Sequence, residues 1–131
     1  MEIKYIVCED NPSVMEFYKA LFKSKKINED QIAYFEDGQG AIELIQNLTN
    51  TDIFLLTDFH MPKVNGGEVL TCAVSKKIPY KILRTSMDLD QASRILDEKY
   101  NIRNGVTLIS KQESLKKLKE EIKEYQENFE V

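Results

Sequence analysis

Hydrophobic and polar positions alternate along the chain in blocks that predict strands and helices in turn. Short apolar runs rich in β-branched and aliphatic side chains are typical of strands that are buried on both faces. Between these runs, apolar residues recur three and four positions apart, which is the spacing of an amphipathic helix. The predicted strands are Lys4 to Cys8, Ile32 to Phe35, Ile53 to Leu56, Tyr80 to Arg84 and Val106 to Ile109. A helical segment follows each strand, so the pattern indicates five βα units.

Capping residues indicate where the helices begin. Asn11 is a good N-cap and Pro12 suits the first helical position, so the first helix is expected from Pro12 to Lys25. A second helix opens at Asp37-Gly38, and Ser114 is expected to cap the last one. The third helix is predicted over Gly66 to Ser75, and the fourth carries Leu89, Ala92, Ile95 and Leu96 on one face.

Successive βα units imply a parallel sheet covered by helices on both faces, with right-handed crossover connections. The predicted fold class is α/β, a single-domain flavodoxin-like (βα)5 doubly wound sheet with strand order 2-1-3-4-5. A chain of 131 residues is long enough to bury a core of its own without disulfides or metal ions. We therefore expect one compact domain over residues 1–131.

Composition excludes several classes of protein. Hydrophobic residues make up 42% and charged residues 31%, and the net charge of −4 offers no electrostatic reason to expect nucleic-acid binding. The chain shows no signal peptide and no stretch that approaches a membrane span, so we expect no membrane insertion and a cytoplasmic location. The spacing of Cys8 and Cys72 suggests neither a redox pair nor a zinc site. Both are expected to be buried thiols.

Three acidic residues follow strands that are neighbours in the predicted sheet. Glu9 and Asp10 end the first strand, and Asp58 ends the third. The carboxyl ends of parallel strands meet at one edge, which is where ligands bind in open α/β sheets. Two carboxylates about 4 Å apart repel by roughly 4 kcal/mol at an effective dielectric constant near 20, so a cluster of three needs compensation. Oxygen ligands of this kind suit Mg²⁺, which often shares its coordination shell with a phosphate.

Positive and hydroxyl groups are expected at the same edge. Lys111 follows the fifth strand and can supply a positive charge, while Thr85 and Ser86 follow the fourth strand and add hydroxyl groups. After Asp58, the cluster Asn65-Gly66-Gly67 marks a loop before the next helix begins. The pattern thus predicts a carboxylate on a rigid strand end beside a mobile loop.

Four short motifs occur in a characteristic order and cover essentially the whole chain. They are Ile6-Val7-Cys8-Glu9-Asp10-Asn11, Asp58-Phe59-His60-Met61-Pro62 with Gly66, Thr85-Ser86, and Lys111. Together they resemble the receiver domains of two-component response regulators, the CheY-like family. We expect a stand-alone receiver over residues 1–131, with no output domain in this chain. The resemblance implies that it acts in two-component phosphorelay signalling by binding another protein.

The resemblance also implies the roles of the acidic residues. Asp58 would accept a phosphoryl group from a histidine kinase or a histidine phosphotransfer protein. Asp10, Asp58 and the backbone carbonyl of His60 would coordinate Mg²⁺, and Glu9 would act mainly through a bound water molecule.

The resemblance also implies how phosphorylation would change the conformation. Thr85 would form a hydrogen bond with a phosphoryl oxygen, and Lys111 would pair with the phosphoryl group. Phosphorylation adds about −1.5 to −2 charge, so Thr85 and the loop after the fourth strand are expected to be drawn toward Asp58. The implied protein is a phosphoacceptor and not an enzyme, because it assists only its own phosphorylation and dephosphorylation. Its implied partners are the phosphodonor protein and a downstream protein target.

Two residues near Lys111 depart from the family's pattern. Many receivers have an aromatic residue three positions before this lysine, but the chain has Leu108 there, so a readout through an aromatic rotamer is not expected. In the family a proline with a cis bond usually follows the lysine, and here Gln112 follows it. A cis bond before a residue other than proline would cost about 2.5–4 kcal/mol, so a trans bond is expected.

His60 and Met87 lie two residues beyond Asp58 and Thr85. In the family these positions influence how fast the phosphoryl group is lost. Their bulk predicts restricted access for the attacking water and a longer-lived phosphoryl group than small residues would allow.

Other interpretations of the same residues stay open. A degenerate receiver would bind partners without phosphate, and a phosphorelay intermediate would pass its phosphoryl group to a downstream histidine protein. A magnesium-dependent phosphatase of related topology would need a second aspartate two residues after Asp58, where His60 stands. The acids after the first strand are also typical of a helix N-terminus, and Thr85 and Lys111 of an ordinary turn and surface.

The last predicted helix carries a narrow apolar stripe. Its members alternate at spacings of three and four residues, and they are Leu115, Leu118, Ile122, Tyr125 and Phe129. Packing against the sheet explains this stripe. Its continuation to Phe129 also offers a surface for a partner protein or a homodimer.

Overall fold

Strands and helices alternate along the chain in a computed structural model that describes residues 2–130. The strands are β1 Tyr5–Cys8, β2 Ile32–Phe35, β3 Phe54–Thr57, β4 Tyr80–Thr85 and β5 Thr107–Ser110. The helices are α1 Pro12–Ser24, α2 Gly38–Gln46, α3 Gly66–Ser75, α4 Leu89–Glu98 and α5 Lys116–Phe129, with a short 3₁₀ helix at Glu29–Gln31. The five strands are parallel and lie in the order β2-β1-β3-β4-β5, which confirms the predicted fold class and strand order.

Several strand boundaries differ from the sequence prediction by one residue. β3 runs one residue further than its apolar run, because Thr57 pairs with Cys8 of β1. β4 and β5 likewise extend to the paired residues Thr85 and Ser110. The apolar pattern marks where a strand is buried, whereas hydrogen bonding to the neighbouring strand decides where it ends.

The helix caps agree with the prediction at one end of the chain and differ slightly at the other. Asn11 Oδ1 accepts hydrogen bonds from two amides of the first turn of α1, at 2.9 and 3.3 Å, as expected for an N-cap. The prediction that Ser114 caps α5 is wrong by one residue, since Leu115 occupies the capping position and makes no side-chain bond there. Ser114 Oγ still accepts from the Lys116 amide at 3.4 Å, so it supports the first turn from just outside the helix.

Two apolar layers enclose the sheet, one under α2, α3 and α4 and the other under α1 and α5. Successive side chains of a strand point to opposite faces, so strand residues alternate between the layers. In β3, Phe54 and Leu56 pack in the α1/α5 layer and Leu55 in the other. Across residues 2–130, none of the helices combines the length and the hydropathy needed to cross a bilayer.

The apolar stripe of α5 packs against the sheet of its own domain. Leu118, Ile122 and Tyr125 are buried in the α1/α5 layer, and Leu115 and Phe129 are partly buried against it. The Tyr125 hydroxyl donates to the backbone carbonyl of Asp52, two residues before β3, at 2.6 Å. The same residues that suggested a partner surface therefore contribute to the core of the domain.

Tyr125→Ala is expected to lower the free energy of unfolding by about 3–5 kcal/mol, because it removes a buried aromatic side chain from a packed layer. Urea titration followed by circular dichroism measures this difference. Glu127→Ala, an exposed change on the same helix, is the control and should leave the midpoint nearly unchanged. Equal midpoints for the two variants would show that the end of α5 is not integral to the fold.

The two cysteines are free thiols in different environments. Cys8 is fully buried as predicted, and burial raises its pKa to about 12. The prediction for Cys72 is wrong in part, because its side chain is only half-buried. On α3 the inward positions are taken by Val69, Leu70 and Ala73, so Cys72 lies on the flank of that apolar face.

Candidate functional site

Three carboxylates meet beyond the ends of β1 and β3. Glu9 directly follows β1, and the Asp58 amide donates to the Cys8 carbonyl at 3.0 Å, which continues the pairing of the two strands. One carboxylate oxygen from each of Glu9, Asp10 and Asp58 lies within 4.8 Å of the other two. Glu9 is 1% and Asp58 8% exposed, whereas Asp10 is exposed. The structure thus brings together the three acids predicted for this edge.

Lys111 provides a positive charge between two of these acids. Its Nζ lies 2.8 Å from Asp58 Oδ2, to which it donates a hydrogen bond, and 2.8 Å from Glu9 Oε1. The Lys111 amide donates to the Thr85 carbonyl at 2.8 Å, which fixes the lysine at the end of β5. Burial lowers the pKa of Lys111, but its contacts with Asp58 and Glu9 outweigh burial and raise the pKa above its usual value. The ammonium group is therefore charged at neutral pH.

Burial disfavours the charged form of the Glu9 side chain. Burial raises its pKa, and the contact with Lys111 and the hydrogen bond from the Asn11 amide to Oε2, at 3.1 Å, oppose that rise. Glu9 Oε1 is buried, and the Lys111 ammonium group lies 2.8 Å from it. A carboxylate oxygen has a second lone pair, so Oε1 can also accept a hydrogen bond from a bound water molecule.

Thr85 lies at the end of β4 and is fully buried. Its Oγ1 accepts a hydrogen bond from the Met87 amide at 3.1 Å, so it is engaged with its own loop and not with Asp58. Ser86 is exposed on the same loop. The hydroxyl predicted for this edge is present there, directed toward the start of the segment that leads into α4.

The loop after Asp58 is held close to the carboxylate by backbone contacts. Asp58 Oδ1 accepts from the Phe59 amide at 2.7 Å, and the Gly66 amide donates to the Phe59 carbonyl at 2.7 Å. A Cβ atom on Gly66 would lie 2.0 Å from the Asp58 carbonyl oxygen, so only glycine permits this approach. The His60 side chain is exposed on the loop. The carboxylate thus has one oxygen bonded to the loop and the other to Lys111.

Comparison of the sequence with models of known protein families identifies the family of this chain. The family model described as "Response regulator receiver domain" matches residues 5–123. The chain belongs to this family. No curated protein matches this receiver domain.

Solved structures at low sequence identity share the fold of this receiver domain. A CheY-like response regulator receiver domain protein from Methanospirillum hungatei has a TM-score of 0.73 and 18% identity, over 99% of this chain and 98% of that one. The receiver domain of a sensor histidine kinase from Pseudomonas aeruginosa, with a magnesium ion coordinated in its active-site cleft, has a TM-score of 0.69 and 17% identity, over 97% of both chains. The response regulator TrrA from Thermotoga maritima, in complex with Mg²⁺ and BeF, has a TM-score of 0.70 and 21% identity, over 95% of this chain and 99% of that one.

The acidic cluster of this receiver has the chemistry of a magnesium site. Its ligand atoms are carboxylate oxygens, which are the hard donors that Mg²⁺ prefers. Asp10 is open to solvent, as suits an ion that keeps several of its waters. The cluster has three carboxyl groups and Lys111 pairs with two of them, so a divalent cation would offset the negative charge that remains. The residues present therefore fit the ion.

The two departures near Lys111 appear in the structure as expected from the sequence. Residues 2–130 contain no cis peptide bond, so the expected trans bond before Gln112 is confirmed. Leu108 is buried in the layer under α2, α3 and α4. An aliphatic side chain thus occupies the position at which many receivers have an aromatic one.

Arg84 is a charged residue of this region that the sequence analysis does not assign to the site. The apolar pattern predicts only that it ends the fourth strand, whereas in the structure its side chain is buried, with 8% of it exposed. Its Nη1 donates to the Tyr18 hydroxyl at 3.0 Å, and the guanidinium carbon lies 5.5 Å from the centroid of the Tyr18 ring. The signal was available in the pattern, since a charged residue at the end of an apolar strand, directly before Thr85, needs a partner when it is buried.

Proposed function

We propose that this receiver domain accepts a phosphoryl group on Asp58 from the phosphohistidine of a histidine kinase or a histidine phosphotransfer protein. The observation that carries the proposal is the Asp58 carboxylate, which is bonded to the Phe59 amide and to Lys111 and lies within an acidic cluster that suits Mg²⁺. An Asp58 oxygen attacks phosphorus, the bond from phosphorus to the histidine nitrogen breaks, and the electron pair leaves with the imidazole. The product is an acyl phosphate.

The chain's own residues position the reaction. Phosphoryl transfer needs in-line alignment and neutralisation of the equatorial oxygens more than it needs covalent chemistry. Lys111 is already beside Asp58 and pairs with the transferred group once it arrives. Asp10, Asp58 and the His60 carbonyl would hold Mg²⁺, with Glu9 acting through water, and the bound ion would neutralise phosphoryl charge. The protein is a phosphoacceptor that assists only its own phosphorylation and dephosphorylation.

The switch follows from the position of Thr85. In the present structure its hydroxyl is engaged with the Met87 amide. That bond leaves the Thr85 O–H free to donate, and a phosphoryl group on Asp58 supplies a charged acceptor, so Thr85 donates to it and the loop after β4 is drawn toward Asp58. The change at this loop alters binding to a downstream protein. Because Leu108 stands in place of an aromatic residue, the partner protein recognises the displaced loop and not a rotated aromatic side chain.

Intact mass spectrometry after incubation with acetyl phosphate and Mg²⁺ tests the proposed function. We expect a single phosphoryl adduct that is absent when the metal is removed with a chelator, because the acidic cluster repels the donor without it. A receiver known to label under the same conditions is the positive control. If that control is labelled and this chain is not, phosphorylation is rejected and a phosphate-independent binding module is supported.

The double variant His60→Ala/Met87→Ala is expected to lose its phosphoryl group about tenfold faster than the native chain, which corresponds to about 1.4 kcal/mol in the barrier to hydrolysis. Both residues lie two positions beyond the groups that contact the phosphoryl oxygens, so their bulk restricts the attacking water. The decay of the adduct, followed by mass spectrometry after removal of the donor, measures this rate. An unchanged half-life would show that these side chains do not shield the site.

A further inference from the structure

Asp58 and Arg84 follow two paired residues of neighbouring strands. Thr57 of β3 pairs with Leu83 of β4, so one further step of this register places Asp58 next to Arg84. The preceding residues on the same face, Leu56 and Ile82, both pack in the α1/α5 layer. Strands are about 5 Å apart and their side chains alternate, so the same alternation, continued one residue past the end of β3, would direct Asp58 to the side of Arg84.

Arg84 is a buried cation without a counter-ion. Its side chain is 8% exposed, and no carboxylate of residues 2–130 lies within ion-pair distance of it. Nη1 is satisfied by the Tyr18 hydroxyl, but Nε is buried and has no acceptor. A buried charge that lacks both a partner charge and a full set of hydrogen bonds is costly, so it is expected to have a role that compensates.

The cleft beside Arg84 is lined by no acidic side chain. It has a volume of about 210 Å³, and its other lining residues are Ser13, Val14 and Phe17 of α1. One of these is a hydroxyl and two are apolar. Glu9, whose charge acts on Tyr18, is already paired with Lys111, so the new negative charge is the one that phosphorylation introduces at Asp58.

We propose that Arg84 is a second cation of the phosphoryl site, and that its guanidinium donates to the phosphoryl group on Asp58. The inference rests on the proposed phosphorylation of Asp58. That step adds about −1.5 to −2 charge and several acceptor oxygens beside a guanidinium with an unused donor. Lys111 is shared between Asp58 and Glu9, so it neutralises only part of this charge. The planar fork of arginine suits the oxygens of a phosphoryl group.

The hydrogen bond to Tyr18 gives the proposal a structural consequence. Tyr18 belongs to α1, and Arg84 donates to it across 66 positions of sequence. When the guanidinium turns toward Asp58, its contact with the Tyr18 hydroxyl and ring is weakened. Phosphorylation thereby changes a contact of helix α1, and this change does not depend on Thr85.

Nuclear magnetic resonance of the arginine side chains of the native protein tests the proposal directly. The chain contains three arginines, so the Nε–H signals form a simple spectrum, and Arg84→Lys assigns the one of interest. We expect the Arg84 signal to shift and its exchange with water to slow when acetyl phosphate and Mg²⁺ are added. The signals of Arg94 and Arg103 serve as internal controls and should stay in place.

Phosphorylation rates of variants give a second readout. Arg84→Met is expected to form the adduct about tenfold more slowly, as the loss of one charge-assisted hydrogen bond implies, with Arg84→Lys in between. Arg94→Met removes the same charge from the exposed face of α4 and should react like the native chain. Magnesium binding to unphosphorylated Arg84→Met should be retained or tightened, because a nearby repelling cation is gone. A variant that had merely lost its structure would lose metal binding as well.

The outcomes separate this inference from the proposed function. If the native chain forms the adduct while the Arg84 signal does not move, or while Arg84→Met reacts at the native rate, the inference is overturned and phosphorylation of Asp58 stands. If the native chain forms no adduct, the proposed function fails and the inference fails with it. If Arg84→Met does not fold, the spectrum of the native protein decides alone.

Discussion

The Asp58→Asn protein is expected to form no phosphoryl adduct under conditions that label the native chain. The substitution keeps the shape of the side chain but removes the anionic oxygen that attacks phosphorus, and an amide is a poor nucleophile. The hydrogen bond from the Phe59 amide to the side-chain oxygen can be kept, so the loop has no reason to rearrange. Intact mass spectrometry with acetyl phosphate and Mg²⁺ measures the loss, which is expected to be complete.

Asp52→Asn is the matched control for this variant. Asp52 precedes β3, at the opposite end of the strand from Asp58, and its side chain is exposed. The same chemical change should therefore leave the adduct intact. An adduct that persisted in Asp58→Asn and mapped to His60 would contradict the assignment of the acceptor. His60 is the only histidine of the chain and is exposed on the adjacent loop.

Gly66→Ala is expected to destabilise the fold by about 3 kcal/mol and to slow phosphorylation of Asp58. Gly66 opens α3, and its added Cβ would lie 2.0 Å from the Asp58 carbonyl oxygen and 2.9 Å from the Phe59 Cα. Both obstacles are backbone atoms, so neither can move away by changing a rotamer. The start of α3 must therefore move away from the end of β3, and this displaces the backbone of Asp58.

Gly67→Ala offers a comparison one residue further along α3. There the added Cβ would meet the ring of Tyr100 at 2.5 Å, and a side chain can be displaced more easily than backbone. Urea titrations of the two variants should place the Gly66→Ala midpoint lower, and labelling by acetyl phosphate should be slower for Gly66→Ala alone. If Gly66→Ala matched the native chain in both measurements, the close approach of α3 to Asp58 would not be needed for the site.

The order of elements and the acidic edge were both predictable from the sequence. Strand positions were visible because buried parallel strands form continuous apolar runs, and helix starts were visible at good caps such as Asn11. The meeting of Glu9 and Asp58 followed from topology, since residues that directly follow adjacent parallel strands come to the same edge. These features depend on local periodicity and on a small number of rules for joining strands.

Other features depended on pairing and packing between distant segments. Thr57 belongs to β3 because of its partner in β1, and Cys72 is half-buried because other residues of α3 take the inward positions. The spacing of the last apolar stripe fits a partner surface as well as a core face, and only the structure places Tyr125 in the core. Apolar spacing shows that a face is buried but does not identify what covers it.

The sequence by itself determined the fold class, the strand order and the set of acidic and basic residues at one edge of the sheet. Only the tertiary structure decided that Arg84 is buried, that it bonds to Tyr18, and that the residue before it pairs with the residue before Asp58. The physical reason is that the pattern along a chain records which side of a strand each residue faces, whereas a contact between α1 and β4 depends on how the helix packs across the sheet.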